Sequence, residues 1–151
     1  MTDISHARPS DLIDIQSMIQ ALSAFHGDDA QVTMAKLQDI FFGAAPMGTA
    51  LIAKTNGVAV GYAGLTPTMV LHDGKIRLDI HHLYVVENMR ANGIGKALIL
   101  AAKAHARDIG ATRLTIGTDP QNRTAIAAYR AMDICEEITG AGPRFRIDLT
   151  L

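Results

Sequence analysis

The chain has 151 residues, 48% of them hydrophobic, with one cysteine and near-balanced charge, 14 basic residues against 15 acidic ones. A chain of this length buries roughly two-thirds of its unfolded surface around one core and needs no disulfide staple; the lone Cys135 rules out an intramolecular one and fits a reducing compartment. The charge balance argues against a nucleic-acid-binding face, which carries a basic excess. Residues 1–9 lack the cationic-then-apolar run of a signal peptide, and the longest apolar stretch, 94–106, is too short and too interrupted by Lys96 and Lys103 to span a bilayer. The expectation is a single soluble, cytoplasmic domain over 1–151, with no membrane and no nucleic acid among its partners.

A short strand over 3–7 precedes Pro9-Ser10-Asp11, a turn able to open a helix, after which Leu12, Ile15, Ile19 and Leu22 recur at helical spacing. Thr33 is placed to cap a second helix over 34–42. Strands over 49–55 and 58–70 flank Asn56-Gly57, a dipeptide suited to a tight hairpin because both central residues need positive φ. A second turn, 72–75, leads into a strand over 76–86, which makes an antiparallel meander. The pattern then changes to a helix over 94–109 ended by Gly110, a strand over 112–117, a helix over 122–132 and a last strand over 144–149. That order predicts a mixed sheet with helices on its faces, an α+β or α/β layered fold.

The most informative segment, Leu83 to Lys96, runs from an apolar strand through a polar turn into a long helix. Gly93 and Gly95 let the backbone turn tightly and approach a ligand closely. The first helical N–H groups have no intrahelical acceptor and the helix dipole is positive there, so with Arg90 and Lys96 the turn suits a pyrophosphate. A dinucleotide fingerprint would need glycine at Leu98, and a Walker A loop would need glycine at Arg90 and a hydroxyl residue at Ala97; both fail.

Leu83, Val85, Arg90, Gly93 and Gly95 form the pattern L-x-V-x-x-x-x-R-x-x-G-x-G, which resembles the coenzyme A loop of the GNAT superfamily of N-acetyltransferases. Downstream, Asn122 to Tyr129 is similar to that family's N-x-x-A-x-x-x-Y helix. The resemblance implies a mostly antiparallel central sheet of six to seven strands with about four helices, acetyl-CoA as co-substrate without a metal, and a homodimer. It further implies that the strand before the loop splays from its neighbour at a bulge. The backbone of Leu83, Tyr84 and Val85 would pair with the pantetheine arm, and the amides of Arg90, Ala91, Asn92, Gly93, Ile94, Gly95 and Lys96 would bind pyrophosphate. Asn122 would contact the pantetheine, and the Tyr129 hydroxyl would face the thioester sulfur. Glu87, where the family commonly has proline, and Asp133-Ile134, where a glycine-aromatic pair is usual, depart from the pattern and bear on turns and caps.

Attack of an amine on a thioester needs a base for the ammonium proton, stabilisation of the carbonyl oxygen and a proton for the thiolate. A tyrosine at the sulfur supplies the last, and direct transfer needs no cysteine nucleophile. Strand alternation puts Arg77, Asp79 and His81 on one face and Leu78, Ile80 and His82 on the other, unless a bulge shifts the phase. His81 and Asp79 are the base candidates, with imidazole the better matched to neutral pH, and His82 is a candidate for lining the acceptor site. Metal binding by His81 and His82 is disfavoured because neighbouring strand positions point apart and a third ligand is not evident. His6, His26, His72 and His105 read as surface or cap residues.

Within the family, the segment order and the residues 144–149 look somewhat similar to diamine and polyamine acetyltransferases, and Asp28 and Asp29 lie where an acceptor pocket is often rimmed and where acid attracts a cationic amine. Histidines stand where the spermidine/spermine enzymes carry an acidic pair, which weakens that assignment. The expected substrate is a small primary amine. An amino acid, an aminoglycoside or a protein N-terminus stays open as acceptor, and the alternatives to an enzyme are a catalytically silent acetyl-CoA-binding module and a phosphate- or nucleotide-binding domain without acyl chemistry.

Overall fold

The computed structural model describes residues 1–140 and 142–149. The chain falls into two compact units, Met1–Gly117 and Thr118–Leu151.

The first unit holds one sheet of β1 (Thr2–His6), β2 (Thr49–Thr55), β3 (Val58–Val70), β4 (Lys75–Val85) and β5 (Leu114–Ile116), side by side in that order. The first three pairings are antiparallel and β4–β5 is parallel, so the sheet is mixed and mostly antiparallel. At the β2–β3 turn Asn56 (φ 50) and Gly57 (φ 78) both take positive φ, as the dipeptide predicts.

One face is covered by α1 (Leu12–Phe25) and α2 (Met34–Phe42). Leu12, Ile15, Met18 and Ile19 of α1 and Leu37 of α2 bury against Ala50, Ile52 and Tyr62 of the sheet. Asp11, at the entry to α1, accepts the Arg8 N–H (2.8 Å) and the Lys54 ammonium (2.6 Å), which ties that entry to β2. Thr33 caps α2 by accepting the Lys36 N–H, at the position expected. The other face is covered by α3 (Ile94–Asp108). A Cβ at Gly61 of β3 would lie 2.8 Å from the Tyr84 carbonyl oxygen and 3.3 Å from Leu98 Cδ1, so glycine is what lets α3 and β4 close on β3 there. Leu98 and Ala102 of α3 are fully buried.

The second unit contains α4 (Arg123–Ala131). Asn122 lies just outside it as the cap, its Oδ1 accepting the Ala125 N–H at 3.1 Å, and Met132 ends it in extended backbone. The strand expected over 144–149 is not formed: among the described residues the sheet has five strands, not six to seven. Alternation of Phe145, Ile147 and Leu149 with polar residues supplies a face but no ladder partner, and these three side chains are 91, 84 and 86% exposed. No helix among the described residues is long and apolar enough to cross a membrane.

Candidate active site

β4 changes character at His81. Gly64 of β3 pairs with His82, yet the next residue, Leu65, pairs with Ile80, so His81 is an extra residue bulged out of the ladder. The phase of the strand therefore shifts, as the sequence reading allowed. Before the bulge, Leu78 and Ile80 are buried. At Gly64, an added Cβ would meet His82 Cβ and the Tyr62 ring at 3.6 Å, which places His82 on the Tyr62 side of the sheet. The imidazoles of His81 and His82 stack with centroids 4.7 Å apart and planes 15° from parallel. The expectation that these two histidines point apart is thus corrected by the bulge.

β5 pairs with β4 only from Leu78 to Ile80. Beyond that point the outer edge of β4, His81 to Val85, has no strand partner among the described residues. An edge of this kind offers backbone donors and acceptors to an extended ligand. Asp79 stands before the opening, where its Oδ1 accepts the Thr115 hydroxyl at 2.7 Å, so β5 already engages this carboxylate.

His82 carries the most specific contact. Its Nδ1 lies 2.5 Å from the Tyr62 hydroxyl, and Tyr62 is 1% exposed within the α1/α2 core. Burial, then the charges of His81 and His26, hold the His82 pKa below the ordinary imidazole value. Burial pushes the Tyr62 phenol far up. His26 caps the C-terminus of α1. Tyr62 escaped the sequence reading because its partner depends on the bulge; a tyrosine in an apolar strand between two glycines, Gly61 and Gly64, was the available signal, since a buried phenol needs an acceptor. His26 was read as a surface or cap residue, and its effect on His82 is not a matter of sequence spacing. Among the described residues no three His, Cys, Asp or Glu side chains gather as a metal site requires.

The open edge leads straight into the glycine turn. Glu87, which stands where the resembled family commonly has proline, starts a single 3-10 turn, Glu87–Met89. The Arg90 Nε donates to the Val85 carbonyl (2.9 Å) and its guanidinium lies 5.5 Å from the Tyr84 ring centre, so Arg90 fastens the turn to the end of β4. The Asn92 amide braces it by donating to the Met89 and Arg90 carbonyls. Ala91 (φ 63) and Gly93 (φ 79) take the left-handed region that reverses the chain. The first bond of α3 runs from the Ala97 N–H to the Gly93 carbonyl, so the amides of Ile94 and Gly95 precede it at the positive end of the helix. The Ile94 side chain is buried, which anchors the helix start. An added Cβ at Gly95 would meet no protein atom within 4 Å; packing does not demand this glycine. Lys96 and Arg90 are exposed.

Asp28 and Asp29 are exposed in the connection between α1 and α2. In the second unit, Tyr129 of α4 is half-buried, and burial together with the Cys135 charge raises its pKa. Asn122 already spends its side-chain oxygen on the α4 cap, which leaves its amide group for any ligand.

A mixed sheet whose fourth strand opens at a bulge and leads through a glycine turn into a helix start is the architecture of a recognisable class, the acyltransferases. Residues 15–133 match the Acetyltransferase (GNAT) family, and the chain belongs to that family. Among curated relatives, an uncharacterized N-acetyltransferase, YhfO, of Bacillus subtilis is 38% identical over 90 residues, 60% of each chain. N-acetyltransferase 8B of Rattus norvegicus is 30% identical over 71% of this chain and 46% of its own length. The chain thus spans less than two-thirds of the length of these relatives, 60% of one and 46% of the other. Among solved structures, an aminoglycoside acetyltransferase from an uncultured soil metagenomic sample, in complex with sisomicin, superposes with TM-score 0.81 at 18% identity, over 97% of both chains. The aminoglycoside N-acetyltransferase AAC(6′)-Iy in complex with CoA gives 0.75 at 20% identity, over 97% of this chain and 99% of its own.

Proposed function

We propose that this chain transfers an acetyl group from acetyl-CoA to a primary amine of a small molecule, by direct attack within a ternary complex. The observation that carries the reading is the continuity of the unpaired β4 edge, His81 to Val85, with the glycine turn at the start of α3. Pantetheine would add to that edge through the backbone of Leu83, Tyr84 and Val85. The amides from Arg90 to Lys96 would receive the pyrophosphate. The family match runs through both compact units, which supports treating 1–151 as one catalytic domain.

In the reaction the amine nitrogen bonds to the thioester carbon and the carbon–sulfur bond breaks. The ammonium proton passes to His81, which is exposed beside the open edge, whereas Asp79 is engaged by Thr115. Backbone N–H groups of the edge stabilise the carbonyl oxygen as charge develops there. The Tyr129 hydroxyl protonates the departing thiolate, and the Asn122 amide steadies the pantetheine. Asp28 and Asp29 draw a cationic amine toward the site. The exposed Phe145, Ile147 and Leu149 support a homodimer through that segment.

The test is release of free thiol from acetyl-CoA against polyamines, amino acids, aminoglycosides and N-terminal peptides, with Tyr129→Phe and His81→Ala alongside wild type. Amine-dependent release, slowed in both variants, is expected. Binding of acetyl-CoA without release for any amine would instead favour a silent sensing module.

A further inference from the structure

We propose that Tyr62 is a positioning residue that fixes His82 as the Nε2–H tautomer, so that His82 offers the acceptor molecule a hydrogen-bond donor and leaves proton removal to His81. The proposal rests on the transferase reading for its substrate side, while its tautomer side stands on this chain alone.

Tyr62 is buried on the α1/α2 face, and among the described residues its hydroxyl has one hydrogen-bond partner, His82 Nδ1. A buried hydroxyl that fails to donate forfeits the full desolvation cost of its O–H. The phenol keeps its proton, because burial disfavours the phenolate. Its O–H therefore donates to Nδ1, and a neutral imidazole that accepts at Nδ1 carries its hydrogen on Nε2. Protonation of His82 would set an Nδ1–H against that O–H, with no second acceptor for the phenol. This adds to the burial and the His81 and His26 charges that already oppose it.

The Nε2 end is the usable one. It makes no hydrogen bond among the described residues, yet it is not among their buried unsatisfied atoms, so it is accessible to solvent. The group presented there is a donor without charge. It suits an oxygen lone pair, a hydroxyl or carboxylate beside the reacting amine, and gives nothing to the second, protonated group of a bare alkyl diamine, since an ammonium only donates. His81, stacked on His82 and exposed, has no such clamp among the described residues. Two adjacent histidines are thereby divided in role by one phenol from the neighbouring strand.

Long-range 1H–15N correlation spectra of the histidine-labelled free protein test the tautomer without any need for activity. His82 is expected as Nε2–H with a hydrogen-bonded, unprotonated Nδ1 in wild type, and as a mixture of tautomers in Tyr62→Phe. An Nδ1–H tautomer in wild type overturns the proposal even where the variant fails to fold, and so does a variant spectrum identical to wild type. On the substrate side, Tyr62→Phe is expected to raise KM several-fold for amines bearing a neighbouring hydroxyl or carboxylate, with kcat nearly held and diamines unaffected. A preference for diamines, or an equal loss for both classes, overturns it. Absence of turnover with every amine would sink the transferase reading, and the tautomer spectrum would still decide the role of Tyr62.

Discussion

His81 and His82 are neighbours in sequence, and their rings nonetheless lie face to face, 4.7 Å apart. A regular strand would send them to opposite faces. The extra residue in β4 cancels one step of the alternation, and it does so where β5 has stopped pairing. The same bulge thus brings two imidazoles to one face and frees the backbone edge beside them.

This arrangement separates the base candidates. His81→Ala is expected to lower kcat by about 10²-fold or more, the usual scale for a positioned proton acceptor. Asp79→Asn keeps an acceptor for the Thr115 hydroxyl and is expected to cost less than about 10-fold, because its carboxylate is already occupied across the strand. Steady-state thiol release measures both, and a larger loss in Asp79→Asn would reverse the assignment.

The two glycines of the turn answer to different needs. Gly93 has φ 79, so Gly93→Ala is expected to cost about 1–2 kcal/mol of stability from backbone strain. A Cβ at Gly95 meets no protein atom within 4 Å, so Gly95→Ala is expected to leave the unfolding midpoint unchanged or slightly raised. Its KM for acetyl-CoA is nevertheless expected to rise about 10-fold, equivalent to about 1.4 kcal/mol, by crowding the pyrophosphate. Thermal unfolding and KM, read on the same variants, separate folding from binding; an unchanged KM in Gly95→Ala would remove the anion role of this turn.

Local patterns were legible wherever they were self-sufficient. The helix over 34–42 with its Thr33 cap and the Asn56-Gly57 hairpin are each set by residues a few positions apart, and the structure places them at the bounds expected. What depends on a partner was not. Residues 144–149 have a strand's alternation and, among the described residues, no strand to pair with. The Tyr62–His82 contact joins residues 20 apart through a one-residue slip in register, and the sequence carries no count of that slip. The glycine turn fell between these cases: its loop chemistry is local, whereas Arg90 was read as an anion ligand and its Nε is committed to the Val85 carbonyl.

The Asp11–Lys54 pair should behave as a structural fastening between the start of α1 and β2. Asp11 is 5% exposed and accepts from both Lys54 and the Arg8 N–H. Lys54→Met would leave a buried carboxylate with a single backbone partner, at an expected cost of about 1–3 kcal/mol in urea unfolding. Thiol-release kinetics should be unaffected, since neither residue belongs to the site. A variant as stable as wild type would mean that Lys54 is solvated in solution and not paired.

Acid should weaken the fold in two separate windows. Burial, with His81 and His26, lowers the pKa of His82, and burial with His6 lowers that of His105 against a smaller opposing effect of Asp108. The unfolded chain then binds protons at these sites from about pH 6.5 downward while the folded chain does not, so stability falls as the pH drops below that value. Asp11 acts lower. Burial raises its pKa, but the hydrogen bonds from Lys54 and Arg8 and their charges outweigh burial and hold it below 3.8. Its contribution persists above that value and is lost as the pH falls through the folded pKa. Urea midpoints measured from pH 8 down to about pH 2 should therefore decline first below about pH 6.5 and again in the Asp11 window. His82→Asn, which keeps a side-chain oxygen to accept from Tyr62, combined with His105→Asn should flatten that decline and leave the acid limb of Asp11 in place. An equally steep decline in the double variant would assign it to other groups and remove the case for a half-buried, neutral His82.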